Sequence, residues 1–358
     1  MKRIILLILL FITFFLVSPV YAQKEVFYHG VINGYKEIPC FKALEGSYKC
    51  FEYYVDIEEL NDQKVISPIL SENEESRFRK GDKVFVSFLS DEYGNEEWSI
   101  TGYDRNGSIL LIVCCFSALA LIIGGKQGFG SLVSLIFTVL ILYLWAIPRI
   151  LNGADVISTG IISVIVMIVV IMYSSYGINI KSHIGVISCI IGVLIVGLLA
   201  KLFVNLTNIN GSGSEEAFLL FSQTGGDISL ADVFFISILI GSMGVLDDVV
   251  MSQISAASEL YTTDKGLSGF ELYKKAMNIG KDHLSSMVNT LFIAYAGSSL
   301  ATVMLLIYNS KEMGNILQMD FIAEEIVRSL VSSMGILLIV PITSIIAAKV
   351  IPSILNKK

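Results

Sequence analysis

From residue 108 onward the chain is a succession of apolar runs separated by short polar stretches. They lie near 108–125, 130–148, 155–180, 183–204, 232–259, 283–309 and 327–350. A helix needs about 20 apolar residues to cross a bilayer. The pattern therefore predicts about seven transmembrane helices over 106–358. The amino terminus differs. Lys2 and Arg3 precede the apolar run Ile4–Val17, and Ser18-Pro19-Val20-Tyr21-Ala22 closes it with small residues. This is the layout of a signal peptide over 1–22, cleaved after Ala22. The alternative is an uncleaved anchor. Either way residue 23 emerges outside the cytoplasm.

Residues 23–105 carry a different period. Val26–Ile32, Tyr48–Val55 and Lys83–Leu89 read as short strands, and in the last Val84, Val86 and Phe88 alternate with Phe85, Ser87 and Leu89. Turn signals flank it at Arg79–Asp82 and Tyr93–Asn95, and Trp98–Tyr103 is placed to pair back as a hairpin. The stretch is long enough for a small barrel and too short for a large core; an OB-like barrel is expected. Cys40 and Cys50 lie close together in this exported segment, so a disulfide is one reading and two free buried thiols the other. The fold class is an all-α polytopic membrane bundle with a small N-terminal extracytoplasmic β-rich domain.

Composition supports the membrane assignment. Hydrophobic residues make up 54% and charged residues 16% of the chain, against about 25% charged in soluble domains. The net charge of −7 and the lack of a basic cluster exclude a nucleic-acid partner. Lysines fix the orientation. With residue 105 outside, Lys126, Lys181, Lys265, Lys274, Lys275, Lys281, Lys357 and Lys358 fall on the inner side. The outer loops hold Arg149, Lys201, Lys311 and Arg328 and are rich in acid, with Glu215, Glu216, Asp227, Glu312, Asp320, Glu324 and Glu325. By the positive-inside rule the carboxyl terminus is cytoplasmic. Cys114, Cys115 and Cys189 sit inside apolar runs and read as packing residues without metal-ligand spacing. Phosphate-loop, zinc-protease, nucleophile-elbow and dinucleotide motifs are missing from the sequence, so no enzymatic role, metal or cofactor is expected. The expected partners are the lipid bilayer and a homologous membrane protein or a second copy of the chain.

Ionisable groups in spans cost about 2.5–3.5 kcal/mol each, so their positions carry information. In the fifth run Gly241, Gly244, Asp248, Ser252, Ser255 and Glu259 recur at steps of three or four and share one helical face. The glycines suit close helix packing. Asp247 lies off that face. At the start of the sixth run Asp282, Ser286 and Asn289 also share a face, and Gly297 continues the small character. The fifth run heads inward and the sixth outward, so Asp248 and Asp282 are expected near the same depth, approaching each other with Ser252, Ser286 and Asn289 around a cation or proton. The plainer reading makes the acids wet interfacial groups, Glu259 beyond the hydrocarbon, and the serines and asparagine helix-packing contacts. Ser268-Gly269-Phe270-Glu271 is a capping box opening a short amphipathic helix on the membrane surface. Glu324 and Arg328 are spaced for an i, i+4 pair. Pro341 predicts a kink. An intramembrane aspartyl protease is disfavoured, because Ile279-Gly280-Lys281 precedes Asp282 in place of a Gly-x-Gly-Asp form and no Tyr precedes Asp248.

These same residues carry a family resemblance. Gly241–Glu259, Asn278–Asp282 running into Met287–Leu291 and Ala294–Gly297, and Phe321–Arg328 with Val340-Pro341 resemble the YibE/F family of bacterial multi-pass membrane proteins. The resemblance covers roughly 105–350, and the domain ahead of it is similar to one that some members carry. The chain departs from the family pattern at Asp247 and His283, where apolar residues are common, and at Lys281, where Arg is common. The resemblance implies fold and membrane location and names no substrate.

Two functions fit. One is a permease-like secondary transporter, proton- or cation-linked, with Asp248 and Asp282 binding the coupling ion. The other is a non-transporting receptor or envelope assembly factor whose exported domain binds a partner.

Overall fold

The computed structural model describes residues 26–39, 49–60, 62–71, 78–90, 96–309 and 318–355. The leader, Cys40, the Tyr93–Asn95 turn and the lysines at 311, 357 and 358 lie outside those residues. The chain divides into two compact units, Tyr21–Leu119 and one containing Ala120–Lys358.

The first unit holds five strands: β1 Val26–Ile38, β2 Lys49–Ile57, β3 Asp62–Ser71, β4 Lys83–Ser90 and β5 Glu96–Tyr103. They form one antiparallel sheet in the order β3-β2-β1-β4-β5. β1 serves two neighbours. Its first half pairs with β4 from Val26 to Val31, and its second half pairs with β2 from Gly30 to Ile38. The handover falls at Gly30, where an added Cβ would meet the Val55 side chain at 2.6 Å. A register break at Ile32/Gly34 follows. Such a break raises local twist, and the sheet curls into a half-barrel around Ile32, Phe51, Tyr53, Val55, Ile66, Val84 and Val86. The alternation read in β4 holds for Val84 and Val86, which are buried while Phe85 is partly exposed. Trp98–Tyr103 does pair back onto β4. β3 is the one strand the sequence reading lacked. It contains Pro68, which sits at an edge of the sheet, where a missing N–H costs least. Cys50 is buried and disulfide-bonded.

The helices are α1 Asn106–Leu140, a π-helical turn Ile141–Ala146, α2 Ile147–Leu151, α3 Val156–Tyr176, α4 Ile180–Thr207, α5 Glu215–Gln223, α6 Leu230–Thr263, α7 Gly269–Ser298, α8 Leu300–Asn309 and α9 Asp320–Leu355. Five helical segments among the described residues are long and apolar enough to cross a membrane, against the seven expected. Two causes account for the difference. The first two apolar runs join into one helical stretch, Asn106–Leu151. It breaks at Gly125 (φ 53, ψ −125), a conformation open to glycine. The break is sharp, because a Cβ on Gly128 would fall on the Ala120 carbonyl, eight residues earlier. The sixth run is the other cause. α7 carries Lys281, Asp282, His283 and Asn289, and its apolar continuation is the separate α8 beyond Ser299.

Local sequence sets the helix starts. Asp155 accepts the Ser158 N–H at 2.7 Å, Asn179 the Ser182 N–H at 3.1 Å, and the Ser214 hydroxyl oxygen the Ala217 N–H at 3.1 Å. The capping box at Ser268 and Glu271 is present, but the helix it opens is not short. It continues through Ser298, because no breaker separates the amphipathic turn from the sixth run. α6 is the central helix, packed against α3, α4, α7 and α9. Small residues permit these contacts: an added Cβ on Gly160 would strike Ile236, and one on Gly192 would sit 3.2 Å from Leu246 and Ile339.

Candidate functional site

α6 separates its residues into two sides. Leu246, Val250, Gln253, Ile254 and Ala257 are buried. Gly244, Asp248, Ser252, Ser255 and Glu259 are exposed, and Gly241 is partly buried beside the Tyr295 hydroxyl. The stripe read from the sequence is thus one continuous face, and it is the face turned away from the core.

Part of that face opens into a cavity. Met251, Ser252 and Ser255 of α6 form one wall, and Tyr176, Asn179 and Lys181 of the α3–α4 turn form another. Gln127, just past the Gly125 break, completes it, and the cavity, open to one side, has a volume of about 620 Å³. Tyr176 lies within electrostatic reach of both Asp247 and Asp248. Asp248 stands one helical turn before Ser252 on the same exposed face. The turn is rigid. Gly177 (φ 74) ends α3, and the Asn179 side-chain amide donates to the Tyr176 carbonyl at 2.6 Å while its oxygen caps α4. Beside it Tyr173 and His183 join at 2.8 Å through the hydroxyl and Nδ1.

The second predicted group is placed differently. Asp282, Ser286 and Asn289 share a face, as spacing requires, and all three are exposed. α7 meets the core through Leu272, Ala276, Gly280 and Leu291, so the polar trio occupies the other side of that helix. Depth is comparable: Gly241 lies against Tyr295 and Gln253 against Ala276, which brackets Asp248 with the stretch holding Asp282. Yet among the described residues no hydrogen bond or ion pair joins Asp248 or Ser252 to Asp282, Ser286 or Asn289. Gly297 is exposed in the last turn of α7. Pro341 lies inside α9, which runs on to Leu355.

At the other end of the bundle the expected Glu324–Arg328 pair is not formed. Arg328 stands 3.8 Å from Glu325 and stacks over Phe234 at 5.2 Å. Glu324 is buried and accepts the Gly213 N–H at 2.9 Å. Packing decided this: Gly213 presses so close that an added Cβ would lie 2.8 Å from the Glu324 carboxyl carbon.

Sequence reasoning missed Gln127, Tyr176 and Asn179 and used Lys181 only as a topological charge. The signal was local, since Tyr176-Gly177 followed by Asn179 is a helix stop and a helix start three residues apart. No group of three or more His, Cys, Asp or Glu among the described residues could hold a metal ion.

A family model described as YibE/F-like protein matches residues 112–353. The chain belongs to the YibE/F-like family. No curated protein and no solved structure matches it. The YibE/F-like match contains α3 through α8 entire, and with them the cavity, the α6 stripe and the α7 trio; the β-sheet precedes it.

Proposed function

We propose that this YibE/F-like protein is an integral membrane permease-like secondary transporter, proton- or cation-linked and without enzymatic activity. The observation that carries the reading is the polar cavity of about 620 Å³ between α6 and the α3–α4 turn. Hydroxyl, amide and ammonium groups are costly in hydrocarbon and are retained where they line a hydrated path. Asp248 is the ion-binding candidate, with Ser252 and Ser255 as neutral ligands. Asp282, Ser286 and Asn289 lie on a separate face and leave the coupled-carboxylate idea for a single-carboxylate one. The bilayer in this reading is a bacterial plasma membrane. The inner-side lysines support a topology with the cavity's end of the bundle and the carboxyl terminus in the cytoplasm, and the half-barrel outside. The strand order β3-β2-β1-β4-β5 supports an OB-like reading of that half-barrel.

The test is thiol labelling of Ser252→Cys and Asp248→Cys in a cysteine-free background, with reagents confined to one side. Labelling from the cytoplasmic side, coupled to loss of solute-dependent pH change in Asp248→Asn proteoliposomes, is expected. A folded protein that labels at neither site from either side overturns the reading.

The exposed trio on α7 favours a second reading, a receptor or assembly factor. Three polar side chains on the outer face of a bundle need a partner other than lipid, either a homologous membrane protein or a second copy. Disulfide trapping through Asn289→Cys, with flux unaffected by Asp248→Asn, would favour it.

A further inference from the structure

A second cavity of about 610 Å³ adjoins the first. It runs between α1, after the Gly125 break, and the end of α3. Phe129, Val133 and Phe137 follow one another at helical spacing along one wall, and Val169 and Val170 line the other. Its floor is the crossing of these helices. Gly130 lies against the Ser174 backbone with no room for a Cβ, and Ser134 and Ser175 pair through their hydroxyls at 3.3 Å. The crevice is therefore a slot with predominantly apolar walls over a close helix crossing.

Gln127 and Tyr176 line both cavities, so the slot and the polar chamber share a wall. Each has the volume of a ligand site, roughly 300–1,000 Å³. Side by side, the two cavities are apolar along the Phe129–Phe137 wall and polar around Asn179, Lys181 and Ser252. Lys126 lines the slot and Lys181 the chamber, and Asp248 stands one helical turn from the chamber's Ser252 on the same face of α6. Two ammonium groups suit a phosphate, and a carboxylate suits an amine.

The geometry points to a binding site for an aminophospholipid, with an acyl chain in the Phe129–Phe137 slot, the phosphate between Lys126 and Lys181, and the headgroup amine toward Asp248. It shares a cavity with the transport reading and names the ligand class for it, but lipid binding does not require flux. A chain lying along α1 and α3 follows the bilayer normal, and basic groups between helices at one end are the setting in which phosphates of lipids are held. Free solutes of the same head chemistry would leave the slot unfilled.

The test is native mass spectrometry of the full-length protein purified in mild detergent and titrated with phosphatidylethanolamine, phosphatidylglycerol or phosphoethanolamine alone. Phosphatidylethanolamine is expected to remain bound at least tenfold more than either of the others. Val133→Trp, which fills the slot, should abolish the adduct. Lys126→Gln with Lys181→Gln tests the head without touching the slot and should lower it about tenfold. Asp248→Asn should remove the preference over phosphatidylglycerol. A missing adduct, equal retention of phosphatidylglycerol by the unaltered protein, equal binding of phosphoethanolamine, or full retention by both the Val133 and the lysine variants overturns the inference. Flux that persists without lipid retention would sink this inference alone, and lipid retention without any flux would sink the transport reading alone.

Discussion

The side-chain amide of Gln253 on α6 donates to the Ser344 hydroxyl on α9 at 2.8 Å, and also to the Ala276 carbonyl on α7 at 2.7 Å. One buried amide thus ties three helices together. Ser344 passes the connection on by donating to the Val340 carbonyl at 2.7 Å. Hydrogen bonds between membrane helices average about 0.6 kcal/mol and reach about 1.7. Gln253→Leu is expected to destabilise the bundle by about 1–2 kcal/mol. Gln253→Glu should cost more, since an ionised carboxylate offers no donor to the Ala276 carbonyl. Thermal onset of labelling at Cys189, which is buried, measures both once Cys114 and Cys115 are replaced by serine. An unchanged onset in both variants would show that the amide does not hold the helices.

Two glycines should respond oppositely to alanine. A Cβ on Gly280 would lie 2.8 Å from the Gln253 side-chain oxygen and 2.8 Å from Val340, whereas one on Gly244 would meet nothing within 4 Å. Overpacking costs about 1–3 kcal/mol, and Gly→Ala in an open helix gains up to about 1 kcal/mol. Gly280→Ala should lower the unfolding midpoint and Gly244→Ala should hold or raise it. A fall of equal size in both would contradict the packing described.

Glu324 fastens the loop before α5 to the start of α9 through the Gly213 N–H. Removing the acceptor from a buried donor costs about 1–3 kcal/mol. Glu324→Ala should therefore speed hydrogen exchange at Gly213 by roughly tenfold or more, a factor that corresponds to about 1.4 kcal/mol of local stability. Glu324→Gln keeps an acceptor oxygen and should change exchange far less. If the two variants exchange alike, the carboxylate oxygen is not what holds the loop.

In the half-barrel, the Asn106 N–H donates to Asp104 at 3.0 Å, and His29 Nδ1 lies 3.1 Å from the same carboxylate. The Asn106 N–H, first, and then His29 hold the Asp104 carboxyl below its ordinary value. A carboxyl group depressed in the folded state contributes stability that is present above its unfolded value of about 3.9 and lost as pH falls through the folded value. Asp104→Asn should thus lower stability at neutral pH, and the difference should shrink below about pH 4. Melting of the β-domain signal in the full-length protein from pH 7 to pH 3 checks this. A difference constant across that range would remove Asp104 from the acid response.

The sequence by itself determined where the apolar runs, several helix starts and most strands lie, because apolar period and capping chemistry act over a few residues. The capping box at Ser268, the alternation of Val84 and Val86 and the shared face of Gly244, Asp248, Ser252 and Ser255 are all of this kind. It also determined family membership, since the motifs lie within 112–353. Only the tertiary structure decided which way a face points. Spacing puts Asp282, Ser286 and Asn289 together, but whether they meet α6 depends on the residues α7 buries, and Leu272, Ala276, Gly280 and Leu291 took that side. It likewise brought Gln127 of α1 and Ser252 of α6 to the turn that carries Tyr176 and Lys181, groups far apart in sequence with no local sign of one another. Helix periodicity is a property of one segment, whereas a cavity is a property of the gaps left when several segments compete to bury their apolar surface.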